Sequence, residues 1–234
     1  MTGTTSALAI HICADLASAG PDRWWPAMVA SEDTVRRAAK LCRHVGIVEQ
    51  RSLAGEGASR AGLLAVLRDA SAALADDGLL VLTFAGHTER GDRPIEAAQW
   101  CLFDGGLELS QIAAELARFP ARARLVIIVD SCYAAAIARV LAGPQPALVL
   151  ACCGEDQTTI DRASSELMVR LEDFICAGEQ GSVDALRRRL EDDTPDSERP
   201  EVWTNTDAWW SATAIAPGHM GVSSRAANDG RAAR

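Results

Sequence analysis

The sequence predicts an α/β domain: a mostly parallel central sheet with helices on both faces. Three observations lead there. Short apolar runs alternate with amphipathic stretches along most of the chain, the pattern of doubly covered strands joined by crossover helices. The 234 residues, 48% of them hydrophobic, suit one globular domain with little chain to spare. The most apolar runs also end in polar, reactive side chains, as strands do when they open into a functional crevice.

Ala7–Cys13 (ALAIHIC) reads as the first strand. A loop holding Pro21, Trp24, Trp25 and Pro26 follows. Ser31, Glu32 and Asp33 then start a helix through His44, with serine as cap and acids in the first turn. Val45–Glu49 reads as a short second strand and Leu53–Ser59 as a loop, with Ser59 capping a helix to about Leu74. Asp76-Asp77-Gly78 is a turn before the buried strand Leu79–Ala85. A helix over Ser110–Phe119 precedes Leu125–Val129, the most apolar strand. A small-residue helix stops at Gly143-Pro144, and Ala147–Cys152 is a fifth strand. Helices over Ser164–Ala177 and Ser182–Asp192 lead to a polar linker, Asp193–Pro200, and a last strand or hairpin, Trp203–Ile215. The domain is expected over residues 1–216, with 217–234 a Gly-, Ser- and Arg-containing disordered tail.

Composition removes several function classes. No apolar run approaches the ~18 residues of a membrane span, and the first ten residues lack the order of a secretory leader. A cytoplasmic protein with no membrane partner is expected. The net charge is −9, from 23 basic and 32 acidic residues. The densest basic cluster, Arg187, Arg188 and Arg189, is answered at once by Glu191, Asp192 and Asp193, so no nucleic-acid face is expected. Seven cysteines (Cys13, Cys42, Cys101, Cys132, Cys152, Cys153, Cys176) contain no CxxC pair and share no ligand spacing with the four histidines. Neither a disulfide framework nor a zinc site is expected.

The chemistry sits at two strand ends. LLVLTFA runs into Gly86-His87, and LVIIV runs into Asp130-Ser131-Cys132. Neighbouring parallel strands place His87 and Cys132 side by side. A cysteine nucleophile needs such an arrangement, with an imidazole in reach of the thiol.

These residues resemble a family. Phe84–His87 (FAGH) is similar to the histidine motif of caspase-like peptidases, and Val129–Cys132 (VDSC) to their nucleophile motif in its metacaspase form. Cys153–Asp161 (CGEDQTTID) resembles the segment that metacaspases carry after the following strand, and Trp100–Leu107 (WCLFDGGL) their intervening strand and turn. The order of elements agrees from about residue 6 to 215. The resemblance implies a single caspase-like domain and a bacterial cysteine endopeptidase in which Cys132 attacks and His87 exchanges the proton. Backbone N–H groups of Thr88 and Cys132 would hold the oxyanion.

Two positions depart from the pattern: Thr88 stands where the family has glycine, and Tyr133-Ala134-Ala135 where it often has His-Ser-Gly. Arg139 stands near the place of a family calcium-binding acid, so no metal and no cofactor are expected. The acids that select arginine or lysine before the cut match Asp33 and Asp130 here, two carboxylates suited to a guanidinium. In this family the last segment lines the substrate groove, where Trp203, Trp209 and Trp210 fall. A protease cutting after arginine is expected to cleave itself at flexible sites, Arg199 or Arg225. The resemblance further implies a protein substrate and, as in bacterial defence or regulated-death systems, an activating sensor protein. The alternatives are an inactive caspase-like interaction module and a peptidase of non-basic specificity. A flavodoxin-like binding domain is a weaker rival, because no glycine-rich phosphate loop follows the first strand.

Overall fold

The computed structural model describes residues 4–20, 23–90, 94–159, 165–177, 183–191 and 199–206. The chain opens with β1 (Thr5–Ala14), a small hairpin of β2 (Ser18–Gly20) and β3 (Arg23–Trp24), α1 (Val29–His44), β4 (Gln50–Ala54) and α2 (Arg60–Ala73). It continues through β5 (Leu74–Gly86), then β6 (Thr88–Glu89), β7 (Gln99–Leu102) and β8 (Gly105–Glu108). Next come α3 (Leu109–Leu116), β9 (Arg124–Asp130), α4 (Ile137–Val140) and β10 (Ala147–Ala151). The last described elements are α5 (Glu166–Cys176), α6 (Val183–Glu191) and β11 (Glu201–Thr204).

The central sheet has the order β11-β10-β9-β5-β1-β4. Its strands are parallel except β11, which runs antiparallel to β10. The steps β1 to β4 and β4 to β5 go in opposite directions along the sheet, so right-handed crossovers put α1 and α2 on opposite faces. Accordingly α1 packs on β1, β5 and α5, and α2 packs against α3. Strands covered on both sides must be apolar throughout, and all seven residues of β9 are buried. Beside this sheet, β6, β7 and β8 form a small antiparallel one, anchored by Trp100. The Trp100 ring is fully buried and stacks on Phe84 of β5 at 4.1 Å.

Several expected boundaries move. The second strand is Gln50–Ala54 rather than Val45–Glu49: Gly46 turns the chain at φ 87°, and Val48 is left 85% exposed. As an edge strand β4 needs no apolar run, so its polar sequence hid it. Helix α1 begins at Val29, with Met28 at its N-cap and no capping side chain. Ser31 is therefore buried inside the helix and does not cap it. Strand β5 begins at Leu74, and the expected turn at Asp76-Asp77-Gly78 survives as extra residues within it. Between the partners Thr5↔Leu74 and Ala7↔Leu79 the strand advances five residues against two on β1. Ser59 and Ser165 cap α2 and α5, accepting from the Gly62 and Met168 N–H groups. The expected last strand is seen as β11, while residues 207–234, with Trp209, Trp210, Arg225 and the expected tail, lie outside the described residues. Among the described residues no helix is long and apolar enough to cross a membrane.

One histidine belongs to the core. His11 of β1 lies between Thr83 of β5, at 3.2 Å from Nδ1, and Gln50 of β4, at 3.3 Å from Nε2. Gln50 donates its own amide to the Ala39 and Ile47 carbonyls, so its Oε1 accepts from the imidazole. Burial pushes the His11 pKa down to about 4, opposed by the Gln50 hydrogen bond. The unfolded chain takes up that proton near pH 6.5. Acidification from about pH 6.5 toward 4 therefore protonates the unfolded chain first and removes roughly 3 kcal/mol of stability. Urea unfolding at pH 7 and pH 4.5 should show wild type losing roughly 2–3 kcal/mol more than His11→Gln over that interval. Equal losses would discount His11.

Candidate active site

Register fixes the two reactive residues. Phe84 pairs with Val129 and Ala85 with Asp130 across β5 and β9. His87 and Cys132 each stand two residues beyond that last pair, on the same edge of the sheet. The Thr88 and Ser131 hydroxyls, both buried, meet at 2.8 Å and tie the two strand-end loops together. No hydrogen bond joins His87 to Cys132 among the described residues.

The imidazole is held from behind. His87 Nε2 donates to the Pro26 carbonyl at 2.7 Å, and the ring stacks on Trp25 at 5.3 Å and 29°. Trp25 is in turn fixed by its backbone N–H, which donates to the Ala17 carbonyl at 2.9 Å. A carbonyl only accepts, so the neutral ring carries its proton on Nε2 and keeps a lone pair on Nδ1. The orienting group is thus a backbone carbonyl, which no residue type in the sequence marks. The available signal was the Trp24-Trp25-Pro26 loop, which follows the strand next to β5.

Cys132 is half-buried, with its thiol directed to the Thr159 carbonyl at 3.8 Å. Burial pushes this thiol up, partly opposed by that backbone contact, so the resting group is SH rather than thiolate. Next to it, Tyr133 adopts φ 54° and ψ 32°, alone among described non-glycine residues in having positive φ. Such backbone costs about 1–3 kcal/mol and persists where neighbours over-determine it. Here the Tyr133 N–H donates to the Gln157 carbonyl at 2.7 Å, and the Ala135 N–H to Cys153 at 3.2 Å. The sharp turn presents Cys132 at its apex. The Cys152 and Cys153 thiols both lie against the Ser131 carbonyl, at 3.2 and 3.4 Å. Within the motif CGEDQTTID, Cys153, Gln157 and Thr159 thus provide the bed on which the cysteine turn lies. Thr88 sits in extended β6 without positive φ, so a side chain is accommodated where the related pattern has glycine.

The two candidate selectivity acids have different surroundings. Asp130 is buried and accepts the Thr34 hydroxyl of α1, and among the described residues no arginine, lysine or histidine forms an ion pair with it. The Asp33 carboxylate is shared by Arg36 and Arg37, the latter at 2.8 Å, and Arg37 continues to Glu172 of α5 at 2.6 Å. Arg139, beyond the nucleophile, is engaged by both Glu155 oxygens. Among the described residues no cluster of three or more His, Cys, Asp or Glu is placed to hold a metal ion. Burial pushes the Cys42 and Cys101 thiols up to about 12 and Cys13 to about 11, leaving them protonated core residues.

No family model matches the chain, and no curated protein matches it. Solved structures do. A protein of Geobacter sulfurreducens is 19% identical with a TM-score of 0.72, the match covering 86% of this chain and 93% of that one. Caspase-1 from Spodoptera frugiperda is 10% identical with a TM-score of 0.60, covering 85% of this chain and 88% of that one. The chain has a single-domain caspase-like fold.

Proposed function

We propose that this chain is a bacterial cysteine endopeptidase of metacaspase type, cutting protein substrates after arginine or lysine with Cys132 and His87. The observation that carries the reading is the His87–Pro26 hydrogen bond beside Cys132. It leaves Nδ1 as the free base on the ring that shares a sheet edge with the nucleophile. With a peptide seated, Nδ1 takes the proton from Cys132 Sγ, and sulfur attacks the scissile carbonyl. The Cys132 and Thr88 N–H groups receive the oxyanion. His87 then protonates the departing amine, and water, activated by the same nitrogen, releases the acid. No cofactor enters these steps.

Asp130 supplies the preference for a basic residue. A buried carboxylate without a cationic partner has more to gain from a guanidinium than one already paired, so Asp130 carries more of the selection than Asp33. A cytoplasmic role under a sensor partner in a defence or regulated-death system fits such a protease. The rival, a non-catalytic interaction module, draws on the protonated resting state of Cys132. An electrophilic arginyl peptide separates the two. Wild type should be labelled at Cys132 and nowhere else, with labelling abolished in Cys132→Ala. Absence of labelling at high probe concentration would favour the module.

A further inference from the structure

We propose that Trp24 and Phe103 form an apolar subsite for the substrate residue just after the scissile bond, a deduction that rests on the peptidase reading above. In such a reaction the histidine protonates the leaving amine, so the substrate beyond the cut departs over the histidine's flank. In this chain that flank is built from two segments. One is Trp24-Trp25-Pro26, in which Trp25 stacks on His87 and Pro26 accepts its Nε2–H. The other is the β7–β8 hairpin, whose Cys101 N–H donates to the His87 carbonyl at 2.9 Å. Phe103 lies two residues beyond Cys101 in that hairpin.

The two segments meet through their aromatic rings. Trp24 and Phe103 stand 5.3 Å apart, tilted by 55°. Trp24 is 54% exposed although it packs on another ring. Trp24 is one of four exposed large apolar side chains among the described residues, and it stands on this flank. An exposed apolar group beside reacting atoms is suited to a ligand side chain. Leucine or phenylalanine fits a tilted aromatic pair, whereas a carboxylate would lose water against the apolar ring faces.

Binding to the Cys132→Ala protein tests this without cleavage. Two peptides, identical except for Leu or Asp directly after the arginine, should differ at least about 10-fold in Kd, the Leu peptide being tighter. Trp24→Ala in that background should erase most of the difference, and Trp24→Phe should keep it. Equal binding of the two peptides, or a preference untouched by Trp24→Ala, overturns the subsite. Wild-type enzyme should also hydrolyse an arginyl ethyl ester, which has no residue after the cut and so reads the peptidase chemistry apart from the subsite. Failure of wild type to cleave ester or peptide while the Leu preference persists would refute the peptidase reading and leave the subsite standing.

Discussion

Cys132→Ala and His87→Ala each lower peptide cleavage by at least about 10³-fold, because the first removes the only attacking atom and the second its proton acceptor. Neither should unfold the protein. Cys132 is half-buried and its thiol makes one long contact, to the Thr159 carbonyl at 3.8 Å. His87 is half-buried, and what its loss costs is the Pro26 bond and the stack on Trp25. The thermal midpoint should move by only a few degrees, the shift that about 1 kcal/mol produces in a domain of this size. The double variant should be little worse than either single one, since residues acting as a unit do not add. By contrast, Cys152→Ala and Cys153→Ala should retain cleavage and lose stability, because both side chains are buried beneath the turn. Cleavage surviving in Cys132→Ala would reassign the nucleophile.

Asp130→Asn should cost about 1–3 kcal/mol in kcat/KM for arginyl substrates, roughly 5- to 150-fold. The substitution keeps the shape and an oxygen for the Thr34 hydroxyl, so the fold should hold. What disappears is the charge facing the guanidinium. The loss should fall on arginyl and lysyl substrates and spare neutral ones. Asp33→Asn should cost less, because Arg36 and Arg37 already share that carboxylate. A fluorogenic panel varied at the residue before the cut decides between the acids. Aspartyl or leucyl substrates cut faster than arginyl ones would remove the acidic-pocket reading altogether.

The contrast between these acids shows what the sequence made legible. Strands β1, β5, β9 and β10 announced themselves because burial on both faces forces an unbroken apolar run. From their ends the positions of His87 and Cys132 followed, since a parallel sheet collects its polar termini on one edge. Edge strand β4 was hidden for the same reason in reverse: with one flank open it keeps polar residues such as Gln50 and Arg51. Ser31 looked like a cap because caps are recognised by residue type, whereas the N-cap of α1 is Met28, three residues earlier, with no capping side chain. The pairing of Asp33 with Arg36 and Arg37 follows from i, i+3 and i, i+4 spacing and was readable in principle. The Pro26 carbonyl was not readable. Every residue has a carbonyl, and only the folded loop decides which one meets the imidazole.

That carbonyl has a consequence for how the protein would fail. The atoms that aim His87 come from a loop between β3 and α1, outside the main sheet, tied to the segment after β1 by the Trp25 N–H bond to the Ala17 carbonyl. Segments of this kind open locally at a small fraction of the free energy that melts a sheet. Mild heat or denaturant would therefore free the imidazole to rotate while β1, β5 and β9 stay paired, and catalysis would fade well before the core is lost. On the peptidase reading proposed above, anything that grips the Trp24–Pro26 segment would hold His87 in line, and anything that pulls it away would idle cleavage without unfolding the protein.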